Sequence, residues 1–296
     1  MTRYRPWLLG VLACLAMAAG PVRSETTLER VRRTGELQIG TDATYPPFET
    51  KVGEVYEGFD IDLGEEVARR LGVRPVWNNV SFDGIFPGLI AGKYDLIISA
   101  VTITPERQAA MAFCTPYYDA GQILCVRQDE AGLTTPAQLA GKAAGVQINT
   151  TSQFMLERQG GVDIRKYASM DLALLDLQEG RISAVVGDAP TIQWMIGQSF
   201  PALKTVGELL TQDQYGFLCR QQDQDLVAAV NQALAQVRAE GRYEELHAKW
   251  FGAGKKTAAG PALADQLFAV LGKGLVWTLE LTAAALVFAL PLGLVV

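Results

Sequence analysis

Short apolar runs alternate with amphipathic stretches along most of this chain, and each run ends in a polar or proline-rich loop. A helix is expected after Gly58, with Asp60 or Asp62 as its cap. Because strands that alternate with helices build parallel sheets, the pattern predicts an α/β fold. The strand-like runs lie at 37–40, 74–80, 94–101, 122–127, 142–146, 182–186 and 215–219.

The segments 90–98 and 178–186 repeat one arrangement, namely a helix end, a glycine, a cation and then a strand. A polar loop follows the strand in both segments, with Thr102 in the first and Asp188 in the second. Two such halves predict two α/β lobes. Ligands of open α/β sheets bind at the carboxyl ends of the strands, so these loops are candidate binding loops.

The stretch Ser99–Arg107 joins an apolar strand to a predicted helix. Thr104 is a favoured N-cap residue and Pro105 suits the first helical position. Arg107 then lies in the first turn, where the helix macrodipole disfavours a cation unless an anion is bound nearby. A guanidinium fits a carboxylate in two-point geometry, which favours a carboxylate site. The alternative is a surface arginine that pairs with Glu106.

The first 24 residues contain Arg3 and Arg5, then an apolar run and small residues, which is the order of a secretory signal peptide. Lipidation at Cys14 is the alternative. Removing residues 1–24 also removes Arg23, and the loss of three cations changes the formal net charge from −6 to −9. For so acidic a chain, no nucleic-acid partner is expected.

Three cysteines and one histidine remain after the predicted signal: Cys114, Cys125, Cys219 and His247. They form no metal-ligand pattern, so no metal site and no cofactor are expected. One cysteine pair could be oxidised in an exported protein, and the sequence leaves the pairing open. His247 is expected to be solvated, and no nucleophile motif recommends it for a Ser/His/Asp triad.

The segment after Gly252 differs in character from the rest of the chain. Residues 253–267 predict a linker because they contain mainly small residues. Residues 268–296 predict a transmembrane helix, since Leu275–Val296 carries a single charge, Glu280, and would span roughly 33 Å as a helix. A buried helix of a soluble domain is the alternative.

Several motifs from about Leu37 to Gly252 occur in the same order as in one known family. They are Gly40–Phe48, Gly58–Leu63, Asp83–Leu89, Ile103–Arg107, Phe113–Tyr118, Val185–Asp188 and Gly241–Gly252. Through them the chain resembles the periplasmic solute-binding proteins for polar amino acids (family 3), a group that includes glutamine-, histidine- and lysine/arginine/ornithine-binding proteins. Residues 274–282 and 290–293 are similar to the first transmembrane helix of the partner ABC permease, which suggests a fusion to the start of a truncated permease domain.

The resemblance implies that residues 25–252 form a solute-binding domain with the two-lobed type II periplasmic-binding-protein fold. Its lobes would close over one amino acid. Its parts would be lobe 1 at about 28–117 and 216–252, lobe 2 at about 121–211, and two crossing hinge strands near 117–121 and 211–215.

The family's binding positions, carried over to this sequence, imply a clamp for a zwitterion, which needs one cation and one anion to offset its desolvation. Arg107 would bind the α-carboxylate with help from Thr102 and from the backbone N–H near Thr151. Asp188 would accept the α-ammonium together with the Ala100 carbonyl. The remaining implied positions are Tyr45 and Phe82, which would enclose the side chain, Asp42, which would hydrogen-bond its polar end, and Ser99, Gln147 and Thr150.

The implied function is the substrate-binding component of an ABC importer, without catalysis of its own. The ligand would be a polar L-amino acid, and Asp42 would favour a glutamine, histidine or arginine/lysine-like side chain over an acidic one. The domain would work in the periplasm, anchored by the C-terminal helix in the inner membrane, with permease subunits and a cytoplasmic ATPase as partners. The alternatives are the ligand-sensing domain of a membrane receptor and a cyclohexadienyl dehydratase-like enzyme.

Overall fold

A computed structural model of the chain describes residues 25–252. The described helices are α1 (Thr27–Thr34), α2 (Phe59–Leu71), α3 (Phe82–Ile90), α4 (Pro105–Ala110), α5 (Thr151–Gln159), α6 (Met170–Gln178), α7 (Ala189–Gln198), α8 (Gln224–Ala239) and α9 (Arg242–Phe251), with a short 3₁₀ turn at Pro136–Leu139. The predicted signal peptide, linker and transmembrane helix lie outside these residues. No helix within 25–252 is both long and apolar enough to cross a bilayer.

One five-stranded sheet forms the centre of the first lobe, in the order β5-β1-β6-β15-β7. Its outer strand β5 and the short β6 both run parallel to β1, whereas β15 runs antiparallel to both of its neighbours. A small three-stranded antiparallel sheet, β2-β3-β4, lies beside it. The strands are β1 (Glu36–Thr41), β2 (Thr44–Tyr45), β3 (Glu49–Val52), β4 (Val55–Glu57), β5 (Arg74–Asn79), β6 (Leu96–Ile97), β7 (Met111–Phe113) and β15 (Leu218–Arg220).

The second lobe repeats this design in a sheet of order β11-β10-β12-β9-β13. Here β11 and β12 run parallel to β10, and β9 runs antiparallel to β12 and β13. The strands are β9 (Gln122–Arg127), β10 (Ala143–Gln147), β11 (Asp163–Tyr167), β12 (Ala184–Asp188) and β13 (Leu203–Val206). The two-lobed α/β prediction is therefore confirmed, and the parallel-sheet prediction is correct only in part.

The antiparallel strands β9 and β15 arise in the same way in the two sheets. The chain passes between the lobes twice, at β8 (Tyr118–Ala120) and β14 (Asp213–Tyr215), which pair with each other antiparallel. The strands β9 and β15 follow these crossings directly and enter their sheets from the other lobe, so they run against the local βαβ direction. The boundaries of the lobes and the hinge role of β8 and β14 remain predictions.

The predicted strand 94–101 is much shorter in the structure, where β6 spans only Leu96–Ile97. The ladder with β1 and β15 ends at Ile97, and the chain then turns at Ala100, whose φ of 44° lies in the left-handed region that few non-glycine residues adopt. Beyond this turn, Thr102 forms an isolated bridge with Tyr215. This break directs the chain before Arg107 towards the space between the lobes.

The expected cap of α2 is wrong. Gly58 occupies the N-cap position with a φ of 141°, and no side chain caps the helix. Asp60 instead points into the protein, where it is fully buried, and Asp62 accepts hydrogen bonds from Lys249 and Trp250 of α9. The first turn of α2 thus contributes to the interior and to helix packing rather than to its own capping.

Candidate ligand-binding site between the lobes

One pocket between the lobes is lined by all the predicted binding positions, and the empty space among its lining atoms, part of it open to solvent, is about 320 Å³. The structure therefore brings together positions that lie up to 146 residues apart in sequence (Asp42 and Asp188). Their contact with a ligand stays a prediction. Glu49 is a further lining residue. The predicted lining positions are Asp42, Tyr45, Phe82, Ser99, Ala100, Thr102, Arg107, Gln147, Thr150, Thr151 and Asp188.

Most of the lining residues follow the carboxyl end of a strand or lie in the first turn of a helix, as open α/β sheets favour. In lobe 1, Asp42 follows β1, Phe82 begins α3, Ser99–Thr102 follows β6 and Arg107 lies in the first turn of α4. In lobe 2 the lining residues come from the end of β10, the start of α5 and the end of β12. The pocket is thus built where the two sheets present their strand ends to each other.

Arg107 is half-buried and its guanidinium lies between backbone carbonyls and aromatic rings. Nη1 donates to the Thr102 carbonyl at 2.8 Å, and Nη2 donates to the Asn149 carbonyl at 3.2 Å. The guanidinium carbon lies 5.7 Å from the ring centroid of Phe82 and 5.0 Å from that of Phe86, within cation–π range. These two bonds use two of the five donors of a guanidinium, so the fork can also hold a carboxylate.

The local setting of Arg107 differs from the sequence argument in one respect. Thr104 does cap α4, since its hydroxyl accepts from the Arg107 N–H at 3.2 Å, and Pro105 is the first helical residue. However, α4 has only six residues. Its macrodipole is correspondingly small, and burial is the stronger influence on the guanidinium. Burial lowers the pKa of Arg107 to about 10, which leaves it protonated at neutral pH.

Asp188 ends β12 and is buried at the pocket wall. Its Oδ2 accepts from the Tyr215 hydroxyl at 2.6 Å, and its Oδ1 accepts from the Gln122 side chain. Burial raises the pKa of Asp188, and the hydrogen bonds from Tyr215 and Tyr45 oppose this rise. A buried carboxylate of this kind is best stabilised by a cation that enters the pocket.

Asp42 directly follows β1 and lies at the end of the pocket that contacts Gln147 of lobe 2. Its Oδ1 accepts from the Thr44 hydroxyl at 2.9 Å, and its Oδ2 accepts from the Gln147 amide at 2.9 Å. Burial raises the pKa of Asp42 to about 6. Asp42 is therefore mainly ionised at neutral pH and titrates in the mildly acidic range.

The local sequence pattern gives no signal for Glu49, which lines the pocket, or for Gln122, which hydrogen-bonds the lining residues Asp188 and Thr151. Glu49 is followed by polar Thr50 and Lys51, so the local pattern resembles an exposed strand, although Glu49 is fully buried. Gln122 begins a strand and links Asp188 to Thr151 through its amide. The one sign in the sequence that Glu49 lies near the binding site is the adjacent loop Pro46–Phe48, which approaches the end of a strand.

Hydrogen bonds cross the space between the lobes, among them one from Gln147 and one from Arg107. Gln147 of lobe 2 donates to Asp42 of lobe 1, and Arg107 of lobe 1 donates to Asn149 of lobe 2. Asn149 has a φ of 61°, which turns its carbonyl out of the helix direction at the start of α5. The lobes are therefore in contact over the pocket in this structure.

No cluster of three or more metal-ligating side chains occurs within residues 25–252. Cys114, Cys125 and Cys219 are buried there as free thiols. His247 is exposed at the outer face of α9, where its ring contacts Phe59 and Tyr118. These residues lie away from the pocket and take no part in its wall.

Two α/β lobes that enclose a polar pocket, with strand ends on both sides, define the class of periplasmic binding proteins. The comparison with protein families gives the particular group. The chain belongs to the bacterial extracellular solute-binding proteins, family 3, which its residues 37–253 match.

Known proteins of similar sequence and structure agree with this assignment. The chain is 32% identical to the L-cystine-binding protein TcyJ of Escherichia coli (strain K12) over 255 residues, which cover 84% of this chain and 96% of that protein. A mutant of ArgBP from T. maritima superposes with a TM-score of 0.73 and 37% identity, covering 76% of this chain and 98% of ArgBP. An ancestral amino acid-binding protein, described as a precursor of cyclohexadienyl dehydratase, gives a TM-score of 0.71 and 35% identity, with coverages of 76% and 99%.

Proposed function

We propose that this protein captures one polar L-amino acid outside the cytoplasm and delivers it to an ABC permease driven by a cytoplasmic ATPase. The observation that carries the proposal is the presence of Arg107 and Asp188 in the wall of one pocket. A zwitterion that leaves water needs a partner for each of its charges, and these two residues supply them. The names of the relatives, which bind cystine and arginine, support an amino acid as the ligand.

In this proposal, the α-carboxylate lies against the guanidinium of Arg107 and the Thr102 hydroxyl. The first N–H groups of α5, near Thr151, face the same place and favour an anion, because a helix N-terminus carries unpaired donors. The α-ammonium donates to Asp188 and to the Ala100 carbonyl. The left-handed conformation of Ala100 sets the direction of that carbonyl.

The ligand's side chain would extend between Tyr45 and Phe82 towards Asp42. An amide or a cationic group suits this end, since Asp42 is mainly ionised at neutral pH. An acidic side chain would face a buried carboxylate and be disfavoured. Glutamine, histidine, arginine and lysine therefore remain the candidate ligands.

Closure of the lobes would be the signal that the permease recognises. The cross-lobe hydrogen bonds from Gln147 and from Arg107 favour a closed arrangement, and a ligand that contacts both lobes would shift the population further towards it. A transmembrane helix at 268–296, joined by the linker 253–267, would hold the domain next to the permease. Inserting a C-terminal reporter after Val296 and fractionating membranes would test this anchoring, and a wholly soluble product would exclude it.

The decisive experiment is isothermal titration calorimetry of the purified chain with each of the twenty L-amino acids. We expect binding at micromolar or tighter affinity for one or a few amino acids with amide, imidazole or cationic side chains, and weak or absent binding of glutamate and aspartate. No heat with any of the twenty would contradict the central claim. Tight binding of glutamate would contradict the role of Asp42 alone.

A cyclohexadienyl dehydratase-like activity is a second candidate because of the ancestral protein that the chain resembles. Such an enzyme must donate a proton to a departing hydroxyl group, and Asp42, with a pKa of about 6, is a lining residue that carries one in mildly acidic solution. Incubation with a carboxylated cyclohexadiene and detection of the aromatic product by absorbance would test it. Turnover that Asp42→Asn abolishes would favour the enzyme, whereas no product would leave the transport proposal.

A further inference from the structure

Two buried carboxyl groups, Glu49 and Asp60, meet behind the pocket wall, and both side chains are 0% exposed. Each accepts ordinary hydrogen bonds through one oxygen only. Glu49 Oε1 accepts from the Ser99 hydroxyl at 2.9 Å. Asp60 Oδ2 accepts from the Ala100 N–H at 2.8 Å and from the Tyr117 hydroxyl at 2.7 Å.

The other two oxygens, Glu49 Oε2 and Asp60 Oδ1, are buried and receive no hydrogen bond from any donor within the described part of the chain. The two carboxyl groups are hydrogen-bond neighbours of each other. Two ionised carboxylates in this position would repel each other without solvent to screen them. A proton between the two oxygens removes the repulsion and satisfies both groups.

Among residues 25–252, no cationic side chain is found to influence the two carboxyl groups in place of this proton. The titratable groups that influence the two carboxyls, or are influenced by them, are acidic or phenolic. They are Asp42, Tyr45 and Tyr117, together with Tyr118 of β8 and Tyr243 of α9.

The hydrogen bonds also indicate which carboxyl carries the proton. Asp60 accepts two bonds from strong donors, and Glu49 accepts one, and bonds donated to a carboxylate favour its ionised form. Asp60 is therefore the better anion and Glu49 the better acid. In agreement, burial raises the pKa of Glu49 well above its usual range, whereas the pKa of Asp60 reaches only about 6 because Tyr117 and Ala100 donate to it.

We infer that Glu49 is a protonated acid at neutral pH, and that its Oε2–H bond to Asp60 positions the Ser99–Ala100 wall of the binding pocket and keeps that wall uncharged. This inference rests on the proposed function, because it assigns Glu49 a role in the same site. Glu49 is a positioning residue in this scheme, and its proton stays in the protein during binding.

The contacts of the pair explain how it would position the wall. The Asp42 N–H donates to Ser99 Oγ at 2.9 Å, and the Ser99 hydroxyl donates onward to Glu49. On the other side, Asp60 holds the N–H of Ala100, whose φ of 44° directs its carbonyl. Loss of the shared proton would separate the two carboxylates and displace both residues of the wall.

The charge of Glu49 also affects which side chain the pocket accepts. With Glu49 neutral, Asp42 is the main ionised acid at this end of the pocket. In Asp60→Asn, the new amide would donate to Glu49 Oε2 and allow Glu49 to ionise, which adds a negative charge to the wall. In Glu49→Gln, the amide would donate to Asp60 as the protonated acid does, and its carbonyl would still accept from Ser99.

A direct test is ¹³C NMR of the full chain labelled at the glutamate side-chain carboxyl carbons, titrated from about pH 5 to about pH 9. We expect one glutamate signal at the position of a protonated acid at neutral pH. This signal should vanish in Glu49→Gln and move to the position of a carboxylate in Asp60→Asn. The control Glu54→Gln, at a side chain that is 96% exposed, should leave it unchanged. A Glu49 signal that already lies at the position of a carboxylate at neutral pH would overturn the inference.

Binding measurements provide a second test, with L-arginine and L-glutamine as the probes. We expect Glu49→Ala to weaken the binding of whichever probe binds by about tenfold or more, because it leaves buried partners unsatisfied, and Glu49→Gln to restore most of the loss. Asp60→Asn should raise the affinity for L-arginine relative to L-glutamine by about tenfold. An unchanged ratio, or no rescue by glutamine, would contradict the inference. If the unmodified chain binds neither probe, the proposed function fails for these ligands, and the NMR signal still decides the state of Glu49.

Discussion

The two walls of the pocket differ in how their polar groups are held. The lobe 1 wall contains the cation Arg107 between two aromatic rings, and an acid network in which Asp42, Ser99 and Glu49 are linked in series. The lobe 2 wall offers one acid, Asp188, surrounded by amide and hydroxyl groups. In the proposed mode of binding, lobe 1 would present a prearranged surface for both the carboxylate and the side chain of the ligand, and lobe 2 would add the partner of its ammonium group.

This difference suggests an order of events. A ligand that first meets lobe 1 would find the carboxylate and side-chain contacts already in place, and closure of lobe 2 would then add Asp188 and the start of α5. Variants of the lobe 1 wall should therefore change intrinsic affinity most. Variants of lobe 2 that keep Asp188 should mainly change how completely the lobes close.

The largest effect is expected for Arg107→Ala. The variant should lower the affinity for the best amino acid at least about 100-fold, because a buried α-carboxylate would lose its charged partner, a loss of about 3–5 kcal/mol. Calorimetry measures the affinity and thermal unfolding checks the fold. Arg33→Ala, at a side chain that is 63% exposed, serves as the control and should bind normally. Unchanged binding by Arg107→Ala would refute its role.

The next largest effect is expected for Asp188→Asn on the lobe 2 wall. Its amide can still accept from Tyr215 but offers no charge to the α-ammonium, so affinity should fall about 10–100-fold. Thermal stability should not decrease, because the variant removes a buried carboxylate whose pKa is raised by burial. Asp163→Asn, on the exposed strand β11, is the control. A loss of folding together with binding would mean that Asp188 is mainly structural.

The lobe 1 acid Asp42 should make the free energy of unfolding depend on pH. Its pKa is about 6 in the folded chain and near its usual value of 3.8 when unfolded, so the folded state binds more protons between these values. The free energy of unfolding should then fall, by about 2 kcal/mol, as pH rises from about 4 to about 6. Asp42→Asn should lack this part of the decline, which urea unfolding at several pH values would measure.

Ligand binding should respond to Asp42 in the opposite direction. Affinity for L-arginine should rise by about tenfold as pH increases through about 6, because Asp42 must be ionised to pair with a cation. An equal pH response in Asp42→Asn would assign the titration to another group.

A smaller effect than that of Arg107→Ala is expected for Gln147→Ala, which removes one of the hydrogen bonds across the pocket. A neutral amide bond to a carboxylate contributes about 1–2 kcal/mol, so affinity should fall by no more than about 30-fold. Gln221→Ala, on the exposed surface of lobe 1, is the control. A loss of affinity as large as that of Arg107→Ala would mean that lobe 2 supplies the main binding energy. It would contradict the expectation that variants of the lobe 1 wall change the affinity most.

Much of the lobe 1 wall could be predicted from the sequence because local rules govern it. The cap Thr104 and the helix start at Pro105 are confirmed, and they place Arg107 in the first turn of α4. The order of strands and polar loops likewise predicts two α/β lobes, and the family match supports the assignment that the motifs suggested.

Other features depend on contacts between residues that are distant in sequence. The antiparallel strand in each sheet follows from two chain crossings, which no local pattern encodes. Asp60 looks like a helix cap but turns inward, because Tyr117 and Ala100 offer it donors there. The stacking of Arg107 on Phe82 and Phe86 also required the folded chain.

The sequence by itself determined the type of fold, the family and the side chains available for a zwitterion, because periodicity, caps and motif order are local properties. The tertiary structure alone decided which acids near the pocket have a raised pKa. Asp42 and Glu49 are ordinary acids in sequence, and their pKa values rise only because folding removes water and brings Asp60 against Glu49. Charge in a buried site depends on its neighbours, and neighbours are a result of the fold.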